Sequence, residues 1–244
     1  MIPDAVGSIP DPIGPDSIGI VVPAHNEQQL LPGCLRSLLA AAAQVPVPVR
    51  VVVALDRCTD GSAGVVASFA DAGVRAVRSQ QPGVGSARAV GVTELLATGS
   101  ADRLWLATTD ADSEVPPDWL VRQLAHARRG AEAVIGTVRV LDWSDQPAGV
   151  PARFAARYRP EFGHRHQHGA NLAFTASSYL RAGGFASLDR DEDVDLIGRL
   201  EALGCALVWA ADLPVTTSAR RDGRAPAGFA GYLAGLAEVA DDVS

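Results

Sequence analysis

At 244 residues, the chain is long enough for one well-cored domain or at most two small ones. Its 48% hydrophobic and 20% charged residues suit an ordinary globular protein, and a formal net charge of −7 argues against a nucleic-acid binder, which carries a basic face. Cys34, Cys58 and Cys205 lie far apart with no C-x-x-C pair, which argues against a zinc or disulfide framework and fits a reducing cytosol, so a cytoplasmic location is expected.

The first sixteen residues, rich in Pro, Gly and Asp, lack the basic start and apolar core of a signal peptide and read as a flexible tail. A single domain is expected over 17–244. Ser17 to Val22 is an apolar run ending at Pro23, as a buried strand would. From Glu27 to about Ala43, leucines at helical spacing predict a helix. Residues 49–55 form a second strand, continuous enough to be buried on both faces. Thr59-Asp60-Gly61 opens a helix ending at Gly73, and residues 74–77 are a third strand. A loop at 82–85 leads into a helix through Leu96, and residues 104–107 make a fourth strand that stops at Asp110. Beyond it the pattern predicts a helix at 116–128, a strand at 133–141, a strand at 171–175, a helix at 192–203, a last strand at 207–210 and a helix at 227–239; 153–160 is ambiguous. No stretch approaches a membrane span, since the mild run at 35–49 is broken by Arg36, Gln44 and two prolines.

Strand-helix alternation predicts an α/β fold with a doubly wound, mostly parallel sheet flanked by helices. Right-handed crossovers place the strands' carboxyl ends on one edge, where ligands of open sheets bind. His25-Asn26-Glu27, the segment from Asp56 to Asp60, and Asp110-Ala111-Asp112 each follow a strand end, so three segments converge on one crevice. Two carboxylates one residue apart suit a hard divalent cation, Mn²⁺ or Mg²⁺, that escorts a nucleotide's phosphates. Taken alone such a pair is a weak signal, its plainer reading a solvated loop that caps the helix beginning near Pro116; its place at a strand end favours a site.

Read in order, these segments resemble family 2 glycosyltransferases of the GT-A fold. Val21-Val22-Pro23-Ala24-His25-Asn26-Glu27 looks like the opening motif, and Asp56-Arg57-Cys58-Thr59-Asp60-Gly61-Ser62 the second nucleotide-binding segment. Gly85-Ser86-Ala87-Arg88 resembles the segment whose basic residue faces the nucleotide pocket, and Asp110-Ala111-Asp112 the metal motif. Gly169 to Phe174, then Gly183-Gly184-Phe185, resemble the acceptor-side strand and turn, and Glu192-Asp193 the motif that supplies the base. The resemblance covers roughly residues 18–210. It implies that Pro23, Ala24, His25 and Glu27 line the base and ribose, and that Asp56 binds the base edge. Arg88, Asp110 and Ala111 would join the donor site, and Asp112 would hold the metal. His168, Gly169 and Glu192 would face the acceptor, and Asp193 would deprotonate its hydroxyl. The implied reaction is inverting transfer of a single sugar from a UDP- or GDP-sugar to a small-molecule or lipid-linked hydroxyl acceptor. The Q-x-x-R-W motif and membrane helices of processive synthases are absent. A single acid, Asp56, follows the second strand where the family often has two, which leaves the recognised base open.

Three further features keep two readings each. His164, His166 and His168 alternate and would share one face of a strand; three imidazoles suggest zinc, whereas the resemblance implies a metal held by carboxylate and phosphate. The loop from Arg220 to Arg224 is either a lid, with Arg221 and Arg224 donating to the diphosphate, or a solvated charge run. The whole chain could also be a degenerate GT-A domain that binds a nucleotide sugar or a protein partner without turnover, and a homodimer stands open. A dinucleotide-binding dehydrogenase is excluded because no G-x-G-x-x-G sits at the first strand-helix turn.

Overall fold

The computed structural model describes residues 14–98, 101–188, 190–223 and 228–238. Its centre is a seven-stranded sheet built from β1 (Ser17–Ala24), β2 (Val49–Asp56), β3 (Val74–Ser79), β4 (Leu104–Thr108), β6 (Ala133–Ile135), β8 (Leu172–Thr175) and β9 (Leu207–Trp209). The strand order is β3-β2-β1-β4-β8-β6-β9. β1 pairs in parallel with both β2 and β4, and β2 with β3. β8 runs antiparallel to β4 and β6. The registers Ala24↔Leu55 and Val21↔Thr108 align three carboxyl ends on one edge. Because β8 is reversed, the edge that holds the end of β4 also holds the start of β8, with Thr108 opposite Leu172.

Alternation along β1 divides the core. Ile18, Ile20 and Val22 face one side and pack with Leu31, Leu35 and Leu38 of helix α1 (Leu31–Ala42), Val66 of α2 (Ser62–Ser68), and Trp119, Leu120 and Leu124 of α4 (Trp119–Arg128). Val21 faces the other side with Val92 and Leu95 of α3 (Val84–Ala97) and Leu196, Ile197 and Leu200 of α7 (Glu192–Ala202). Each fully buried leucine contributes about 1.5–3 kcal/mol relative to exposure. A third, smaller cluster joins Phe154 and Tyr158, on and just after α5 (Val150–Arg157), to Leu233 and Leu236 of α8 (Phe229–Glu238). α6 (Ala176–Arg181) follows β8 directly.

The structure departs from the sequence reading at four places. The expected strand at 133–141 is two strands in different sheets, β6 and β7 (Val138–Arg139), which break at Gly136. At the break Gly136 packs against the buried carboxamide of Asn171, where a Cβ would clash. Residues 207–210 are not the last strand, because β10 (Val215–Thr217) follows and lies between β5 (Ser113–Glu114) and β7 in a three-stranded sheet. Helix α1 begins at Leu31 instead of Glu27, since Glu27 and Gln28 bond sideways to the β2–α2 loop. Residues 14–16, expected in the tail, are docked: Asp16 N donates to the Arg103 carbonyl at 3.1 Å, and Arg103 to the Gly14 carbonyl at 2.6 Å. The remainder of the expected tail lies outside the described residues. Among the described residues, no helix is long and apolar enough to cross a membrane.

Candidate active site

The loops after β1 and β2 are bonded into one unit. Asn26, in the left-handed region at φ 55°, accepts from Thr59 N at 2.8 Å through Oδ1. Gln28 N donates to Asp60 Oδ2 at 3.0 Å, while Gly61 N donates to Gln28 Oε1 at 2.7 Å. Asp60 also accepts from Ser62 N at 3.0 Å and from its hydroxyl at 2.6 Å; against the cost of burial, these bonds hold its carboxyl below the usual range. His25 Nδ1 donates to the Asp56 carbonyl at 2.6 Å, which fixes its ring. The buried Asp56 carboxylate accepts from Gly83 N and Arg57 Nε, both at 3.0 Å, and so ties in the loop before α3. These loops form one wall of a cavity of about 380 Å³, lined by Pro23, Ala24, His25, Glu27 and Asp56 and closed on the other side by Asp110, Ala111 and Asp112.

At the end of β4 the acids are held by two arginines. Arg88, on α3 and 2% exposed, donates from Nε to Thr108 Oγ1 at 3.1 Å and from a terminal nitrogen to Asp110 Oδ1 at 2.6 Å; its other terminal nitrogen bonds Glu192. Arg88, implied by the resemblance for the donor site, bridges Asp110 to the first turn of α7 and lines a second cavity. Arg220, just beyond β10, donates to both oxygens of Glu27 at 2.8 and 2.5 Å and lies 3.0 Å from Asp112 Oδ2. Burial, reinforced by Asp110 and opposed by Arg220, pushes the Asp112 carboxyl up to about 7. Glu27 and Asp112 share Arg220 as counterion here, and Asp110 has Arg88. The hard oxygen donors of Asp112 and its neighbours fit Mn²⁺ or Mg²⁺, with the guanidinium of Arg220 holding the charge in this conformation. Cys34 Sγ donates to the Asp110 carbonyl at 3.4 Å and braces the turn from below.

The second cavity, about 390 Å³, shares Val84, Asp110, Thr217 and Phe229 with the first. Gly169, His168, Glu192 and Asp193 line it. Glu192 is buried against Arg88, whereas Asp193 is half exposed and accepts from Val194 N at 2.9 Å. His168 Nε2 bonds the Tyr158 hydroxyl at 3.0 Å, and that oxygen accepts from Val138 N at 2.9 Å. Burial lowers His168 to about 4, despite the opposing charge of Asp193, so it is neutral at pH 7.

The three histidines lie outside any strand, yet their rings stack, with centroids 5.6 Å apart for His164–His166 and 6.4 Å for His166–His168. Their Nε2 atoms turn to different partners: the Ala210 carbonyl, Arg159 and Tyr158. No group of three metal-binding side chains forms among the described residues, so the zinc reading gains no support.

Arg221 is exposed and Arg224 lies outside the described residues; among the described residues of the loop, Arg220 and Gly223 line the first cavity. The candidate set also omitted Tyr158 and Asn171. Asn171 accepts from Trp119 Nε1 at 2.9 Å and donates to the carbonyls of Thr137 and Leu213 at 2.8 and 2.7 Å, which joins the main sheet to the segments flanking the small one. No local pattern in the sequence marks those long-range bonds.

These elements define an α/β fold with a cleft at the strand ends. The Glycosyl transferase family 2 profile matches residues 19–191, and the chain belongs to that family. It is 32% identical over 143 residues to the succinoglycan biosynthesis protein ExoO of Rhizobium meliloti, a match covering 58% of this chain and 37% of that protein. It is 31% identical over 132 residues to the undecaprenyl-phosphate 4-deoxy-4-formamido-L-arabinose transferase of Sodalis glossinidius, covering 52% and 38%. The matches therefore span well under half the length of these curated relatives. Among solved structures, TarS of S. aureus in complex with UDP-GlcNAc aligns with a TM-score of 0.61 at 14% identity, over 86% of this chain and 60% of that one. The mannosyltransferase PcManGT of Pyrobaculum calidifontis, in complex with GDP-Man and Mn²⁺, aligns at 0.60 and 22% identity, over 94% and 71%. These likenesses establish the GT-A fold.

Proposed function

We propose that the chain transfers one sugar from a UDP- or GDP-sugar to an acceptor hydroxyl, with inversion at the anomeric carbon and a divalent cation at Asp112. The observation that carries this reading is the pair of contiguous cavities that meet at Asp110. One is lined by the strand-end residues suited to a nucleotide, the other by a half-exposed carboxylate suited to a base.

In this reading Pro23, Ala24, His25 and Asp56 take the base and ribose, and Asp110 orients the donor sugar at the junction. When bound, the cation neutralises charge that develops on the departing diphosphate. Arg88 fixes Asp110 relative to α7 through its three bonds, so donor and base keep their spacing. Asp193 takes the hydroxyl proton as the new bond forms. Asp193 stands in the first turn of α7, half exposed to the second cavity, where an acceptor hydroxyl can reach it. Arg220, once released from Asp112, has the reach of a phosphate donor in the same cavity.

The test is titration calorimetry of UDP and GDP in Mn²⁺, paired with an assay for nucleoside diphosphate release from a donor panel. One nucleotide should bind and its sugar conjugate turn over, and Asp112→Ala should weaken binding at least about tenfold, the loss of about 1.4 kcal/mol. Equal affinity in wild type and Asp112→Ala would remove Asp112 from the metal site.

A further inference from the structure

We infer that the acceptor is an uncharged saccharide whose ring lies against the aromatic side of the second cavity, and not an ionised phosphate. This rests on the reading of that cavity as the acceptor site.

The first argument is charge. Among the described residues, Asp110, Asp191, Glu192 and Asp193 line the cavity and face two arginines, Arg88 and Arg190. Arg88 is already committed to Thr108, Asp110 and Glu192. Arg190, with a side chain 72% exposed, stands at the rim 3.9 Å from Asp191. The N-terminus of α7 attracts anions in principle, but Glu192, Asp193 and Asp195 already occupy its first turn. A phosphate monoester carries about −1.5 to −2 at pH 7. It would enter a surplus of carboxylates with no uncommitted buried guanidinium among the described residues. His168, neutral at that pH, adds no cation.

The second argument is shape and polarity. Tyr158, His166, His168, Phe229 and Tyr232 line the cavity. Tyr158 and His166 stack with centroids 4.0 Å apart, His168 meets Phe229 edge-on at 6.1 Å, and Phe229 lies 6.2 Å from Tyr232. A sugar ring has an apolar face of C–H groups and a rim of hydroxyl donors. Aromatic rings cover the first, and Asp191 and Asp193 accept from the second. The volume, about 390 Å³, lies at the small end of ligand sites.

The third argument is chemical. A phosphate oxygen is already ionised at neutral pH and gives a base nothing to remove. A neutral hydroxyl must lose its proton: its oxygen bonds to the anomeric carbon, the carbon–oxygen bond to the diphosphate breaks with its electron pair leaving on the nucleotide, and the proton passes to Asp193. The inference sets this chain apart from the relatives named for undecaprenyl-phosphate.

Saturation-transfer NMR tests it, with UDP and GDP in separate arms, Mn²⁺ present, and two probe sets: neutral mono- and disaccharides, and farnesyl phosphate. At least one saccharide should receive saturation, and its affinity should fall about tenfold in Phe229→Ala, the loss of one aromatic contact. Tyr232→Ala should do the same, and because Tyr232 is 42% exposed this variant leaves the core intact. Farnesyl phosphate should receive none. A panel with no bound saccharide, or farnesyl phosphate bound and lost in both variants, overturns the inference. Failure of the underlying reading is distinct, because neither nucleotide would then bind.

Discussion

Replacing Arg220 with Gln removes the guanidinium that joins Glu27 to Asp112 while keeping much of the side chain's reach. The Glu27 and Asp112 side chains are 6% and 16% exposed, and that of Arg220 is 20% exposed. Breaking a buried ion pair by deleting one partner costs about 3–5 kcal/mol. Partial exposure of Arg220 and relaxation of water into the cavity reduce this to about 2 kcal/mol. For a domain of this size, each kcal/mol lowers the melting temperature by about 2–4 °C, so the variant should melt roughly 4–8 °C lower without metal. The same guanidinium competes with a cation for Asp112 Oδ2, so Arg220→Gln should bind free Mn²⁺ about tenfold more tightly, and excess Mn²⁺ should recover most of the lost stability. Thermal unfolding with and without Mn²⁺, together with EPR titration of free Mn²⁺, reads both effects. An unchanged melting temperature with unchanged or weaker Mn²⁺ affinity would refute the assignment of Arg220 as the counterion at this site.

Two further predictions concern the framework. Asn171→Ala removes the acceptor of Trp119 and the donor to two buried carbonyls; it should cost about 3 kcal/mol and lower the melting temperature by roughly 6–12 °C, read by calorimetry. His168 is held at about 4 against an ordinary value near 6.5, so between these pH values the unfolded chain binds the extra proton and stability falls on acidification. His168→Gln should flatten that slope by up to about 2 kcal/mol in denaturant titrations at pH 4.5 and 7; an unchanged slope would mean that His168 protonates freely in the folded state.

The parallel half of the fold was legible because its strands are short apolar runs that end in polar residues. Ser17 to Val22, residues 49–55 and 104–107 carry both the periodicity and the stops, and the registers of β1, β2 and β4 then bring Pro23, Asp56 and Asp110 to one edge. The three-stranded sheet was not legible. Its strands are two or three residues long and pair segments about a hundred positions apart, such as Ser113 and Thr217. That sheet ends at Thr217, just before the loop whose Arg220 lines the first cavity. Adjacent in sequence, Arg220 turns to Glu27 and Asp112 while Arg221 faces solvent. The role of Arg88 was legible only as a basic residue near the site. Its commitment to Glu192 depends on α3 packing beside α7, a tertiary fact that no local spacing encodes.

In the proposed reaction Asp193 serves as base for acceptor attack beside a metal-nucleotide site. Asp193→Asn keeps the shape of the side chain and removes its basicity. The most direct measurement is acceptor-dependent nucleoside diphosphate release for wild type and Asp193→Asn, with nucleotide affinity measured on the same preparations. The rate should fall by about 10²- to 10⁴-fold in Asp193→Asn, with nucleotide affinity little changed. Near-normal transfer by Asp193→Asn, or an equal collapse of rate and nucleotide binding, would contradict it.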